Sequence, residues 1–133
     1  MVKVDVRYDG AKKCSLIHSE GAEIRTDAPR DIGGDASAFS PTDLVAAGLA
    51  SCILTTIAMF AERHDLDLTG ITAHVEKTMQ SEPRRLGALP VTVTMPASVP
   101  ADMRLALERA GRLCPVHASL HPEIAAPIEF VYE

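Results

Sequence analysis

Aromatic residues are scarce in this sequence of 133 residues. Tryptophan is absent and aromatic residues make up 4% of the chain, whereas 47% of the residues are hydrophobic. The core must therefore be aliphatic and rich in alanine, which favours close helix packing over large aromatic anchors. A chain of this length fits a single domain, residues 1–133. It can bury roughly two thirds of its unfolded surface without disulfides.

An excess of positive charge is also lacking. The chain has 13 basic and 18 acidic residues, which gives a net charge of −5. That sign argues against a basic patch that binds nucleic acid or an anionic membrane. The first residues alternate between polar and apolar and contain no apolar run of signal-peptide length, so we expect a cytoplasmic location.

Cysteine is the third residue type in short supply. An odd set of three, Cys14, Cys52 and Cys114, suits neither a disulfide-rich secreted scaffold nor a four-cysteine zinc site. Free cysteines are either small buried hydrophobes or reactive thiols. Cys14 lies on an early predicted strand with no motif around it, and we interpret it as structural.

The pattern of apolar residues predicts an α+β fold. Alternation with period two indicates strands over residues 2–8, 12–18, 22–26, 70–80, 89–95 and 127–132. The first two strands would form a hairpin through Asp9-Gly10, and the strands at 70–80 and 89–95 a second one. A helix from residue 100, interrupted by Pro115, and a short helix over residues 115–121 follow. Strands and helices come in blocks rather than as βαβ units, which is typical of the α+β class.

The longest predicted element is a helix that begins at Ser40-Pro41, with serine as N-cap and proline in the first turn. It follows a long predicted loop over residues 27–40. Residues 44–61 carry no charge and are apolar all round the helix, so we expect a buried central helix. The length also suits a membrane span, but the glycine, serine and threonine residues within it favour the core of a soluble domain.

The two later cysteines differ in their local setting. Cys52 lies about three turns into the central helix, too far from its N-terminus for the helix dipole to stabilise a thiolate. Its reactivity would need neighbours such as an arginine, or an opened helix near Gly48. By itself it is typical of a core residue. Cys114 precedes Pro115 at a predicted helix start, where free backbone N–H groups lower the pKa of a thiol.

The segments around these cysteines resemble a known family. Residues 40–52, SPTDLVAAGLASC, resemble the central-helix motif of the OsmC/Ohr family, whose names stand for osmotically inducible protein C and organic hydroperoxide resistance protein. Residues 114–120, CPVHASL, resemble its second-cysteine motif. The Gly33-Gly34 loop and the strand order agree, so the resemblance covers nearly the whole chain. It implies an OsmC-like fold and an intertwined homodimer, with the long helices at its centre and two thiol sites near the subunit interface.

The resemblance also implies a thiol peroxidase that needs no cofactor. Cys52 would reduce an organic hydroperoxide and become a sulfenic acid, which Cys114 would convert into an intrachain disulfide. A dithiol reductant, a dihydrolipoyl protein or a thioredoxin-like protein, would then restore both thiols. Because the site formed by the helix and the Gly33-Gly34 loop is aliphatic, we expect bulky apolar peroxides to react faster than hydrogen peroxide.

One departure from the family pattern concerns the carboxylate. In well-known hydroperoxide resistance proteins, a glutamate follows the proline at the helix start and pairs with an arginine that activates the first cysteine. Here Thr42 follows Pro41, and the carboxylate comes one residue later, at Asp43. Nine residues of straight helix place Asp43 roughly opposite Cys52. Stabilising the helix start is therefore as good a role for Asp43 as catalysis.

The activating arginine has three candidates. Arg7 lies near the hairpin position at which the classical members carry it, and Arg25 and Arg30 lie in or near the predicted loop. We retain Arg7 and Arg30, together with Asp43, as candidate site residues beside Cys52 and Cys114.

Other functions remain open. Cys114, His117 and His121 have metal-like spacing, but zinc needs three or four ligands, and Cys52 would lose its redox role by supplying another. The chain could also be a module that binds a small apolar ligand, in which the cysteines only pack. A third alternative is a redox sensor whose disulfide reports oxidation without rapid turnover. Turnover of an organic hydroperoxide with a dithiol would distinguish an enzyme from the ligand-binding module and from the redox sensor.

Overall fold

The computed structural model describes all residues, Met1–Glu133, and contains eight strands and three α-helices. The strands are β1 Val4–Gly10, β2 Lys13–His18, β3 Glu23–Asp27, β4 Thr72–Val75, β5 Thr78–Gln80, β6 Arg85–Ala88, β7 Val91–Met95 and β8 Ile128–Tyr132. The helices are α1 Pro41–Glu62, α2 Ala101–Arg112 and α3 Pro115–Ser119. The predicted α+β class is confirmed. The chain divides into two compact units, residues 1–45 and 46–133. The expectation that residues 1–133 form a single domain therefore stays a prediction.

The first unit contains an antiparallel sheet with the strand order β1-β2-β3. The predicted hairpin is present, but its turn lies at Ala11-Lys12, because β1 continues through Gly10. Ala11 and Lys12 both have positive φ angles, 52° and 64°. Two such residues in succession give the backbone twist that a two-residue hairpin turn needs between right-twisted strands.

The predicted loop after β3 contains a single 3-10 turn, Arg30–Ile32. Two features order it. The buried carboxylate of Asp27 accepts hydrogen bonds from the Ser37 N–H (3.0 Å) and hydroxyl (2.6 Å). At Gly34 the backbone passes so close to Ala28 that an added Cβ would lie 1.8 Å from the Ala28 carbonyl oxygen. The loop conformation therefore requires glycine at this position.

The second unit contains two sheets. In the larger one β7 is central, antiparallel to β4 and parallel to β8, and β5 pairs with β6 in the smaller one. The strand predicted over residues 70–80 is thus two strands in different sheets. The ladder between β4 and β7 ends at the pair Val75 and Val91. Pro90 comes next on the β7 side and has no N–H to continue it.

The core of the second unit lies between α1, α2 and β7. One face of α1 is fully buried at Leu49, Ile53 and Ile57. The alternating inward residues of β7 and Leu107 of α2 belong to the same apolar cluster. At Gly111 of α2, an added Cβ would lie 3.0 Å from the Cδ1 of Ile57. This spacing confirms the close helix packing expected for a core with few aromatic residues.

The opposite face of α1 is exposed. Before the final residue, Glu62, its exposed residues are small or apolar and include Val45, Ser51, Thr55 and Met59. The expectation that α1 is buried all round is therefore correct for only one of its faces. By length and composition alone the helix could also cross a membrane, but a core helix of a soluble fold passes the same test.

Candidate active site

Cys52 lies near the middle of α1, beside its buried face, and its side chain is partly exposed. The helix runs unbroken through Gly48, so no opening of the helix distinguishes this cysteine from its neighbours. One turn later, the Thr56 hydroxyl donates a hydrogen bond to the Cys52 carbonyl oxygen (2.8 Å). The same hydroxyl also lies within reach of the Cys52 sulfur.

Cys114 is the N-cap of α3 and is completely buried. Pro115 fixes the backbone at the first helical position and leaves the following N–H groups without partners inside the helix. One of them, the His117 N–H, donates to the Cys114 sulfur at 3.4 Å. The local sequence therefore directs backbone donors toward this sulfur.

The Cys52 and Cys114 thiols influence each other, and their pKa values shift in opposite directions. Burial by itself raises the pKa of the Cys52 thiol, but hydrogen bonds to the sulfur outweigh burial and hold the pKa below its ordinary value. The donors are the Cys114 thiol, the Val116 N–H and the Thr56 hydroxyl. Cys52 is therefore the more acidic thiol of the pair.

Cys114 is the less acidic thiol of the pair. Burial raises the pKa of its thiol most, and donation of its S–H to Cys52 and the negative charge on Cys52 raise it further. The N–H groups of His117 and Val116 act in the opposite direction without reversing the shift. The structure thus reverses the order suggested by each cysteine's local sequence. The helix start does lower the pKa of the Cys114 thiol, but burial and the neighbouring thiolate outweigh it.

Two contributors to the site were missed by the sequence analysis. The Thr56 hydroxyl lies one helix turn from Cys52, and the i, i+4 spacing is a signal that would have identified it. The Val116 N–H is the second free donor at the start of α3, and it reaches Cys52 only because α3 packs against α1. No local pattern in the sequence could have shown that contact.

The sequence matches the OsmC-like protein family over residues 34–129, a segment that contains Cys52 and Cys114. The chain belongs to the OsmC-like protein family. The resemblance inferred from the two motifs is thereby confirmed.

Solved structures support the assignment. A protein of Psychrobacter arcticus 273-4, provisionally described as an osmotic stress induced and detoxification response protein, is 37% identical. The match has a TM-score of 0.92 and covers 98% of this chain and 96% of that one. An organic hydroperoxide resistance protein OsmC of Legionella pneumophila shares the fold at 18% identity and a TM-score of 0.79, over 98% and 96% of the two chains. The organic hydroperoxide resistance protein OhrB of Bacillus subtilis also shares the fold, at 18% identity and a TM-score of 0.69. The match covers 98% of this chain and 97% of that one. A search of curated proteins finds no match.

Asp43 caps α1 in this OsmC-like chain. Its Oδ2 accepts a hydrogen bond from the Ser40 N–H (2.9 Å), and the Ser40 Oγ accepts one from the Asp43 N–H (3.1 Å). These reciprocal bonds form a capping box, with Asp43 at the third helical position. The helix-start role is thus present in the structure, and a catalytic role for Asp43 stays a prediction.

Arg7 lies on β1, where its Nε donates to the Asp9 carboxylate at 2.7 Å. The Ser15 hydroxyl donates to the same carboxylate, and Arg25 approaches it at 3.7 Å. Arg30 lies in the 3-10 turn and is exposed. Activation of the Cys52 thiol by Arg7 or Arg30 stays a prediction.

The described chain, Met1–Glu133, contains no group of three or more His, Cys, Asp or Glu side chains placed to hold a metal ion. The His117 Nε2, one of the nitrogens considered as a metal ligand, lies 2.9 Å from the carbonyl oxygen of Ala126. Cys14 lies on β2 between Tyr8 and Thr26 of the neighbouring strands and is a partly buried free thiol.

Proposed function

We propose that this OsmC-like protein is a cysteine-based hydroperoxide reductase in which Cys52 attacks the peroxide and Cys114 resolves the product. The observation that carries the proposal is the pair of free cysteines, Cys114 in the core and Cys52 packed against it, whose pKa values shift in opposite directions. The thiolate, not the thiol, is the nucleophile in such chemistry, and Cys52 is both the more acidic thiol and the more accessible sulfur.

In the first step the Cys52 thiolate attacks the terminal oxygen of ROOH. An S–O bond forms, the O–O bond breaks, and the alkoxide leaves and takes up a proton to give ROH. Cys52 becomes a sulfenic acid. In the second step the Cys114 sulfur attacks the Cys52 sulfur, and the S–O bond breaks. Hydroxide leaves with the Cys114 proton as water. One peroxide is reduced for each disulfide formed.

The electrostatics of the pair favour this order of steps. While Cys52 is a thiolate, its charge and the hydrogen bond that it accepts keep Cys114 protonated. Conversion of Cys52 into a neutral sulfenic acid removes both effects. The pKa of Cys114 then falls toward the value set by burial and the helix-start N–H groups. Cys114 thereby becomes a better nucleophile only after the first step.

Organic hydroperoxides are the substrates that we propose, since two of the similar structures are named organic hydroperoxide resistance proteins. Bulky apolar peroxides should react faster than hydrogen peroxide, because an aliphatic site rewards burial of the alkyl group. A dithiol reductant of the dihydrolipoyl or thioredoxin type completes the cycle. A cytoplasmic location would supply such reductants.

We also propose that the functional form is a homodimer. Residues 44–61 of α1 contain no charge, yet one face of the helix is exposed, with Met59 at 55%. On β1, Val4, Val6 and Tyr8 expose 54%, 62% and 67% of their surface. Apolar faces of this kind are typical of surfaces that a second subunit covers.

Steady-state kinetics test the proposed reaction. We expect reduction of cumene and tert-butyl hydroperoxide when either a dihydrolipoyl or a thioredoxin-type reductant is supplied, and slower reduction of hydrogen peroxide. Disulfide formation without turnover by any dithiol would instead indicate a redox sensor. Binding of an apolar ligand without thiol oxidation would indicate a non-enzymatic module.

A further inference from the structure

The site depends on a helix too short to hold its own position. α3 contains five residues, Pro115–Ser119, and an isolated helix of that length is not stable in water. The start of this helix nevertheless provides two of the groups that lower the pKa of Cys52, the Cys114 thiol and the Val116 N–H. Whatever fixes α3 therefore also fixes the environment of Cys52.

His117 ties α3 to the segment before β8. Its Nε2 lies 2.9 Å from the Ala126 carbonyl oxygen, which can only accept a hydrogen bond. The Nε2 must therefore carry the proton in this contact. The main-chain N–H of His117 donates to the Cys114 sulfur at 3.4 Å. One residue thus contacts both the resolving thiol and a point outside the helix.

The position of Ala126 is fixed by backbone hydrogen bonds to the residues on either side of it. The Ala125 carbonyl accepts a hydrogen bond at 2.8 Å from the Leu89 N–H, between β6 and β7, and the Pro127 carbonyl accepts one at 2.9 Å from the Val91 N–H, at the start of β7. Successive carbonyls of an extended chain point to opposite sides, so the Ala126 carbonyl faces away from β7. Since β8 is an edge strand, no further strand is there to pair with it. The His117 side chain supplies the missing donor.

We propose that His117 is a positioning residue that, by donating its Nε2–H to the Ala126 carbonyl, holds α3 in place and keeps the Cys114 thiol and the Val116 N–H on the Cys52 sulfur. The inference rests on the proposed peroxidase function for its biological meaning, although the contacts do not. A misplacement of reacting groups by about 1 Å can slow a reaction by up to roughly 100-fold. Loss of this single hydrogen bond should therefore slow the reaction, although it removes no reacting atom.

Substitutions of His117 separate positioning from mere folding. His117→Leu removes the donor and keeps an apolar side chain of moderate size. His117→Asn keeps an amide but places it near the position of Nδ1, short of Ala126. His117→Gln places an amide N–H at the position of Nε2 and should restore the bond. The matched control is His121→Asn, because the exposed His121 uses only its Nδ1, as acceptor from the Glu123 N–H.

Two measurements on the whole 133-residue chain need no peroxide. One is the pH dependence of Cys52 alkylation, read by peptide mass mapping, and the other is the rate of Cys52–Cys114 disulfide formation with the oxidant diamide. We expect His117→Leu and His117→Asn to raise the apparent pKa of Cys52 and slow disulfide formation by about tenfold or more. His117→Gln should largely restore the wild-type pKa of Cys52 and rate of disulfide formation. His121→Asn should match the wild type in both measurements.

The proposal is overturned if a folded His117→Leu or His117→Asn protein keeps the wild-type alkylation profile and disulfide rate. It is also overturned if His117→Gln is as impaired as His117→Asn. Should the leucine variant not fold, the comparison of asparagine with glutamine still decides. A wild-type protein that reduces no hydroperoxide, yet shows these differences, would refute the peroxidase function and leave the role of His117 intact.

Discussion

Two adjacent threonines on α1 make the same local contact but differ in what lies beside them. The hydroxyls of Thr55 and Thr56 each donate to the carbonyl oxygen four residues earlier, at 2.8 Å. Only Thr56 also lies beside the Cys52 sulfur, where its hydroxyl lowers the pKa of the thiol. A hydroxyl has one proton, so the carbonyl and the thiolate are alternative acceptors, and a negative sulfur competes well for it.

Replacement of Thr56 by valine should therefore impair the thiolate. We expect Thr56→Val to raise the pKa of Cys52, shift the pH profile of peroxide attack to higher pH, and slow attack at neutral pH by roughly tenfold. Stopped-flow measurement of the reaction with cumene hydroperoxide from acid to alkaline pH checks this. Thr55→Val is the matched control and should leave the profile unchanged. An unshifted profile for Thr56→Val would show that this hydroxyl does not lower the pKa of Cys52.

The reductant should attack one particular sulfur of the disulfide. The pKa values alone favour attack on Cys114, because Cys52 is the better leaving group. Access favours the opposite choice, since Cys114 is completely buried and Cys52 is partly exposed. A sulfur that no nucleophile can reach does not react, so access decides. We expect a monothiol added to the oxidised protein to form its mixed disulfide on Cys52, as peptide mass mapping would show. A mixed disulfide mainly on Cys114 would mean that α3 opens before reduction.

The sequence was sufficient to propose the two cysteines as a pair but not to predict the direction in which each pKa shifts. Their motifs point to Cys52 and Cys114, whereas the direction of each pKa shift depends on packing of α3 against the middle of α1. Asp43 shows the opposite case. Its capping contacts are local to the helix start, so Ser40 as N-cap and Asp43 in the first turn were enough to anticipate a stabilising role there.

At the scale of elements, long helices and the first hairpin were predictable because their signals are local and repeated. The strand predicted over residues 70–80 was not, because its division depends on which partner each half meets. β4 pairs with β7 until Pro90 ends the ladder, and β5 turns to β6. An alternating pattern shows that a segment is extended but does not show its partner.

The loop between β3 and α1 offers a test at this scale. An alanine Cβ at Gly34 would lie 1.8 Å from the Ala28 carbonyl oxygen, so the backbone must move. We expect Gly34→Ala to lower the thermal unfolding midpoint by several degrees, which corresponds to roughly 1–3 kcal/mol. Gly87→Ala is the control, because its Cβ would make contacts of 3.4 Å or longer. Equal midpoints for both variants would show that the loop adapts without cost.

At the scale of the molecule, α1 and β1 each expose an apolar face that no contact within a single chain covers. We expect the protein to be a dimer by light scattering, and Met59→Glu to shift it toward monomer, because a buried carboxylate without a partner is costly. Leu105 of α2 is similarly exposed, at 57% against 55% for Met59, so Leu105→Glu is the control and should remain dimeric. A dimer broken by Leu105→Glu and not by Met59→Glu would place the interface elsewhere.

Peptide mass mapping of the reduced protein after treatment with one equivalent of cumene hydroperoxide is the decisive experiment for the two-cysteine mechanism. We expect an intrachain Cys52–Cys114 disulfide, with Cys14 still free. In the same assay, Cys114→Ser should stop at a trappable sulfenic acid on Cys52, and Cys52→Ser should not react. A predominant disulfide that involves Cys14, or a Cys52→Ser protein that still consumes peroxide while Cys114→Ser does not, would contradict the two-cysteine mechanism.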